Sequence, residues 1–159
     1  MKILIVSDTH DNWPNYKKAL GWAEQEGIKT VFHCGDIMNK EIISQAESFF
    51  KGEIKYVRGN GDFELDFIPD SQSVEFNSKK IGFVHFPDLA KKMAQSGKYD
   101  MVFYGHTHRA WDEKIGDCHM INPGELAGQF YKPTFAVYDT ATGKLELKIL
   151  EKLAGFKFN

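Results

Sequence analysis

Short apolar runs that end in polar loops alternate with stretches of helical spacing in the N-terminal part of the chain. Ile3-Leu4-Ile5-Val6 is cut off by Ser7-Asp8-Thr9-His10-Asp11-Asn12, the pattern of a strand buried on both faces that feeds a polar loop. From about Pro14 to Glu26, Tyr16, Leu20 and Ala23 recur at helical spacing, with Pro14 suited to a first turn and Gly27 placed as a stop. Thr30 to His33 predicts a second strand, ending at Gly35-Asp36. Lys40 to Phe50 predicts a helix whose broad apolar face carries Ile42, Ile43, Ala46, Phe49 and Phe50, stopped by Gly52. Ile54 to Val57 predicts a third strand, ending at Arg58-Gly59-Asn60-Gly61-Asp62. This β-α-β-α-β order calls for right-handed crossovers and a mostly parallel sheet.

The second half reads differently. Ser73 to Phe76 and Lys80 to His85 flank Asn77-Ser78-Lys79, a hairpin signal. A helix from about Asp88 to Ser96 leads to a strand from Tyr99 to Tyr104, and β-rich pieces follow with turns at Gly116-Asp117 and from Thr140 to Gly143. Leu145, Leu147 and Ile149 alternate with Glu146 and Lys148, which predicts a half-buried strand. The stretch from about Asp62 to Ser71 is the longest loop, and long loops in compact domains often carry function.

With 159 residues the chain fits one α/β domain, residues 1–159, and its 42% hydrophobic content excludes a disordered or collagen-like chain. A net charge of −2 provides no global positive field, so neither nucleic acid nor an anionic membrane is an expected partner. Cys34 and Cys118 have no disulfide or metal spacing and read as reduced core fillers. No stretch approaches the roughly 20 apolar residues of a membrane span, and the opening apolar run is too short for a signal peptide, so a cytoplasmic address is expected.

The chemistry lies in where the Asp, His and Asn residues fall. Asp8 and His10 follow the first strand, Asp36 the second and Asn60 the third; His85 closes the next strand and His106-Thr107-His108 the one after. Taken singly, each is ordinary helix capping, turn chemistry or a core histidine. Together they place oxygen and nitrogen donors at consecutive strand ends, and in open α/β sheets the carboxyl ends of strands converge on one edge. Carboxylate, imidazole and amide donors without thiolate suit Mn, Fe, Zn, Co or Ni. Seven donors exceed one such ion but serve two if a carboxylate bridges. Two ions roughly 3.5–4 Å apart bind a bridging hydroxide and clamp a phosphoryl group for in-line attack. The resulting net positive site attracts a phosphate ester.

Asp8-X-His10, Gly35-Asp36, Gly59-Asn60-X-Asp62, His85 and Gly105-His106-X-His108, in this order, resemble the signature of the calcineurin-like metallophosphoesterases, in particular their small single-domain bacterial and archaeal phosphodiesterases. The resemblance runs from Ile3 through Ile121-Asn122-Pro123-Gly124. It implies a two-sheet β-sandwich flanked by helices, with Asp8, His10 and His108 on a first metal, Asn60, His85 and His106 on a second, and Asp36 bridging. Manganese is the expected ion, with Ni, Zn, Fe and Co also suited. The implied activity is hydrolysis of a small phosphate ester, above all a diester, by a hydroxide held between the ions, with Asp36, Asn60 and Asp62 at the reacting centre.

Two positions depart from the family pattern. Many members carry a histidine, thought to protonate the leaving group, where this chain has Gly61; such acids contribute about 10²–10⁴-fold. Phe86 stands where a glycine usually follows His85, and its ring is expected at the pocket wall. Asp62 is a candidate to hold a ligand histidine, Arg109 to bind a phosphate oxygen, and Asn12 to line the mouth. Trp13 reads as helix packing, and His33 and His119 as structural. Small relatives form dimers, so a homodimer is compatible. A rival reading, a protein-interaction scaffold on the same fold, predicts bare apolar groups at Phe63, Phe67, Ile68 or Phe130. A nuclease acting on DNA ends would need a capping domain for which the chain has no room.

Overall fold

The computed structural model describes residues 1–153. Five strands form a first sheet: β1 (Lys2–Val6), β2 (Thr30–His33), β3 (Glu53–Tyr56), β9 (Thr134–Asp139) and β10 (Leu145–Ile149), in the order β10-β9-β1-β2-β3. Between β1 and β3 the chain crosses over through α1 (Trp13–Gln25) and α2 (Lys40–Phe49), and β1, β2 and β3 are parallel, with Leu4 opposite Val31 and Val31 opposite Ile54. The second sheet contains β4 (Ser71–Phe76), β5 (Lys79–Val84), β6 (Met101–Phe103), β7 (Trp111–Ile115) and β8 (Cys118–Asn122), in the order β4-β5-β6-β8-β7. Helix α3 (Pro87–Gln95) links β5 to β6, which are parallel.

The layers follow from which face of each strand is apolar. Ile3, Ile5, Phe32 and Val57 of the first sheet pack against Ile81, Phe83, Phe103 and Ile121 of the second, and Phe32 stacks on Phe83 with ring centroids 4.4 Å apart. The alternate residues Leu4, Val6 and Val31 face outward against Tyr16, Leu20 and Ala23 of α1 and Ile42 and Ala46 of α2. On the outer face of the second sheet Val84 and Val102 pack against Ala90 and Ala94 of α3. The result is the expected helix-flanked sandwich of two sheets. Strands β1 and β2 are buried along nearly their whole length because both faces are covered, which is why they read as continuous apolar runs.

Several expectations shift in detail. The hairpin loop is Asn77-Ser78 alone, both residues in the left-handed conformation that a two-residue turn between twisted strands requires. Leu147 is 51% exposed, so Leu145, Leu147 and Ile149 do not share a buried face; β10 is an edge strand, and only Leu145 of the three reaches the inter-sheet core. Ile68 is buried against the α1–α2 layer, whereas Phe63, Phe67 and Phe130 are exposed. Cys34 and Cys118 are buried free thiols, as expected of core fillers. Among the described residues no helix is long and apolar enough to cross a membrane.

Candidate metal centre

The carboxyl ends of β1, β2 and β3 and those of β5 and β6 meet at one edge of the sandwich, and the loops leaving them are tied together by backbone hydrogen bonds. Asp8 N donates to Gly35 O at 3.0 Å, His10 N to Asp36 O at 3.0 Å, and Gly105 N to His85 O at 3.1 Å. Seven of the nine non-glycine residues at positive φ among the described residues lie in these loops: Asp8, His10, Asp11, Asp36, Met38, His106 and His108. Left-handed backbone costs least for Asp, Asn and His among residues with a side chain, so the residue types that can ligate are also those that tolerate these turns. Strain gathered in this way is characteristic of functional sites. Close approach is enforced by glycine: a Cβ on Gly59 would lie 2.2 Å from Asp36 Oδ1, and one on Gly105 2.0 Å from Ser7 Oγ.

The side chains form two groups that share Asp36. In the first, donor atoms of Asp8, His10, Asp36 and His108 lie within 4.8 Å of one another. His10 Nε2 is 3.5 Å from Asp36 Oδ2 and 3.8 Å from Asp8 Oδ1, and His108 Nε2 is 3.4 Å from Asp8 Oδ1. In the second, Asn60 Oδ1 lies 3.0 Å from His85 Nε2 and 2.8 Å from His106 Nδ1. His85 Nε2 is in turn 3.5 Å from Asp36 Oδ2. Asp8, Asp36 and His85 are buried, while Asn60 and His106 open to solvent.

The residues present fit divalent ions. His10 Nε2 is buried without a hydrogen-bond partner, directed at two carboxylates, which is the environment a cation resolves. His85 Nδ1 sits 2.7 Å from Cys34 O and His108 Nδ1 2.7 Å from Glu125 Oε2, so each ring donates from Nδ1 and turns the lone pair of Nε2 toward the acids. Burial raises the affinity of the Asp8 carboxyl for its proton, but His10, His85 and Ser7 outweigh it and hold the group below its ordinary range. His10 is shifted upward by Asp8, against burial and with help from Asp36. Entry of a cation therefore displaces protons.

Other expected site residues are used differently. Asp62 hydrogen-bonds to no candidate ligand histidine; its carboxylate is taken up by backbone amides. Its Oδ2 accepts from Asp36 N at 2.9 Å and Gly59 N at 2.7 Å, and its Oδ1 from Ile37 N and Met38 N, both at 2.7 Å. Asn12 does not line the mouth, since both ends of its side chain are consumed: Oδ1 caps α1 through Asn15 N, and Nδ2 donates to Ala127 O at 2.9 Å. Arg109 does not turn to the donors; its guanidinium lies over the Trp111 ring, 5.1 Å from the centroid, because the residue following His108 points away from the cluster. Trp13 packs edge-on to Tyr16 and Phe49. His33 is structural: Nδ1 accepts from Gly35 N at 3.2 Å and Nε2 meets Thr9 Oγ1 at 2.9 Å, and burial pushes its pKa down to about 4. His119 is an exposed residue on β8 that faces Asp112.

Sequence reasoning missed two residues. Asn122 donates through Nδ2 to Gly105 O at 2.9 Å and Thr107 Oγ1 at 3.0 Å, and so holds the loop bearing His106 and His108. Glu125 is fully buried. Burial disfavours its charge, yet the Tyr131 and Phe130 amides, each 2.6 Å from Oε1, and His108 keep its carboxyl below the ordinary range. An acid seventeen residues from its histidine leaves no spacing signal; only the turn Asn122-Pro123-Gly124 marked the loop. Glu125→Gln is expected to loosen His108 and weaken metal binding by about 10–100-fold, the usual cost of removing a partner of a ligating histidine. Calorimetric titration of the chelated protein with manganese measures it.

Residues 1–143 match the family model of the calcineurin-like phosphoesterase superfamily domain. The phosphodiesterase MJ0936 of Methanocaldococcus jannaschii is 35% identical, over 95% of this chain and 100% of that protein. A solved archaeal phosphodiesterase has a TM-score of 0.84 at 33% identity, covering 94% of this chain and 99% of the other. Chaetomium thermophilum Vps29 shares the fold, with a TM-score of 0.73 at 23% identity, covering 93% of this chain and 91% of the other. With the signature residues gathered at one edge of the sandwich and the family model spanning nearly all of it, the chain belongs to the calcineurin-like phosphoesterase superfamily of metal-dependent hydrolases.

Proposed function

We propose that this phosphoesterase is a small-molecule phosphodiesterase with a two-metal centre, in which Asp8, His10 and His108 hold one divalent ion, Asn60, His85 and His106 hold the second, and Asp36 bridges them. The observation that carries the reading is the position of Asp36 Oδ2, 3.5 Å from both His10 Nε2 and His85 Nε2, where one carboxylate serves both groups. When bound, the ions supply a hydroxide nucleophile and the charge that stabilises the phosphorane-like transition state. Manganese is the proposed ion, with Ni, Zn, Fe and Co as competitors set by availability.

The protein's own groups orient and exclude. Asp8 and Asp36 are held in place by Ser7 Oγ, His106 N and Gly61 N, so little reorganisation accompanies the reaction. Asn60 turns its side-chain oxygen toward His85 and His106, and in this reading its amide polarises a phosphate oxygen. Residue 61 contributes no proton: a Cβ on Gly61 would lie 2.6 Å from Met38 Sδ, so a side chain there requires Met38 to move. Esters whose alcohols leave unprotonated are therefore favoured.

The charge of the rim supports a diester over a monoester. Arg58 is engaged by Asp70, with Nη2 to Oδ1 at 2.8 Å, and Arg109 lies over Trp111, so neither is committed to a second negative charge on phosphorus. The relative MJ0936 carries the same assignment by name. The protein is further proposed to act in the cytoplasm as one domain over residues 1–159, with a homodimer compatible. The scaffold reading draws on exposed Phe63, Phe67 and Phe130, but it leaves unexplained why buried carboxylates and an orphaned imidazole are kept in place.

The test is hydrolysis of bis-p-nitrophenyl phosphate and p-nitrophenyl phosphate by chelated protein reloaded with Mn, Ni, Zn or Mg. Metal-dependent turnover with kcat/KM higher for the diester is expected. Equal or greater turnover of the monoester would overturn the diester assignment, and no turnover with two ions bound per chain would favour the scaffold.

A further inference from the structure

Beside Asn60 the surface opens into a groove of about 450 Å³ lined by Arg58, Asn60, Phe63, Asp70, Phe86 and Leu89. Asn60 belongs at once to this groove and to the donor cluster, so whatever fills the groove abuts a phosphoryl group at the centre. The walls are apolar where solvent would favour polar groups: Phe63 is 87% exposed, Phe86 41% and Leu89 37%. The groove's charges are already spent. Arg58 meets Asp70 through both Nε and Nη2, at 3.0 and 2.8 Å, and Asp62, which also lines the groove, accepts from four backbone amides.

Phe86 occupies the N-cap of α3, where Ser, Thr, Asp or Asn would accept from the exposed amides, and it makes no side-chain cap bond. The helix thus forgoes a stabilising contact in favour of an aromatic ring. That ring stands 5.1 Å from the ring of His85 and 5.4 Å from that of His106, which fixes it at the border between groove and donors.

We infer that this groove is a specificity subsite that receives a flat apolar ester group of the substrate, stacked against Phe86 and bordered by Phe63 and Leu89. The inference rests on the phosphodiesterase reading and deepens it: the substrate is a diester carrying at least one aromatic or similarly flat alcohol, since the groove offers ring faces and no free charge for a second phosphate or a sugar acid.

The test uses the manganese-loaded protein and two phosphonates that differ only in that group, phenylphosphonate and methylphosphonate, with binding read by calorimetry. The wild-type protein is expected to bind the phenyl compound about tenfold more tightly, the scale of one ring–ring contact plus its burial. In Phe86→Ala the two affinities should approach parity, and Phe63→Ala should lose part of the preference. Leu147→Ala, on a remote edge strand, should keep it. Equal binding of the two probes by the wild-type protein, or a preference that survives in Phe86→Ala, would overturn the subsite while leaving the phosphodiesterase reading intact. Failure of the loaded protein to bind either phosphonate would likewise overturn the subsite, whereas the phosphodiesterase reading stands or falls on turnover of bis-p-nitrophenyl phosphate.

Discussion

Asp36→Asn should abolish phosphodiester hydrolysis, by about 10³-fold or more in kcat, without unfolding the protein. The size follows from the position of this carboxylate: among the described residues it is the one side chain within 3.5 Å of histidines from both donor groups, so in the proposed two-metal centre its charge would serve both ions, with several kcal/mol of transition-state stabilisation at stake. The fold should tolerate the change because Asn retains an oxygen for the Gly61 amide, which donates to Asp36 Oδ1 at 2.7 Å. In the chelated protein the substitution also removes one of two buried carboxylates that face each other across His10, so the midpoint of thermal unfolding should hold or rise. With manganese present the order reverses, because stabilisation by a ligand scales with its affinity and the variant binds its ions more weakly. Metal content, unfolding with and without manganese, and kcat on bis-p-nitrophenyl phosphate together read the prediction. A metal-saturated variant with wild-type kcat would refute the bridging role.

The strand-end logic reached the site because β1, β2 and β3 are parallel, so the polar loops after Val6, His33 and Tyr56 necessarily open on the same edge. The second sheet could not be oriented that way. That His85 and His106 arrive at the same edge, as the strand-end reading expected, depends on β5 and β6 running parallel in a second sheet packed across Phe32 and Phe83, and only the family resemblance supplied that second sheet. The hairpin of β9 and β10 returns to pair with β1, with Leu4 opposite Val137, a pairing more than a hundred residues long that no local pattern encodes. Errors arose where sequence neighbourhood stood in for direction. Arg109 follows a donor and Asn12 lies two residues after one, yet one side chain lies over Trp111 and the other caps a helix. Glu125 was invisible for the opposite reason: it touches His108 in space without being near it in sequence. Leu147 failed because alternation marks two faces but not whether anything covers them, and on this edge strand Leu147 is 51% exposed.

Asp62→Asn should cost more stability than any change at the donors themselves, about 3–5 kcal/mol, against the 5–15 kcal/mol typical of a whole domain. The carboxylate is 1% exposed and takes four backbone amides, two on each oxygen. An asparagine offers acceptors at only one end. Its amide nitrogen would present N–H groups to two of those four N–H donors, leaving them unpaired in a buried site, and alanine would leave all four. Those amides belong to Gly59 and to the turn from Asp36 to Met38, where Asp36 and Met38 have φ of 57° and 91°. The carboxylate is therefore what ties the turn from Asp36 to Met38, with its two left-handed residues, to Gly59. Metal affinity should fall with the loss of stability, since the donors are no longer presented together. A proton-transfer role predicts a different signature: a lost limb in the pH–rate profile with unfolding unchanged. The expected result is the reverse, a lowered midpoint in urea and weaker manganese binding, with the shape of the pH–rate profile preserved in whatever activity remains. Wild-type stability in Asp62→Asn would return the residue to the reacting centre; a destabilised protein whose pH profile keeps its shape would establish that Asp62 acts on the chemistry only through the backbone of the Asp36 loop.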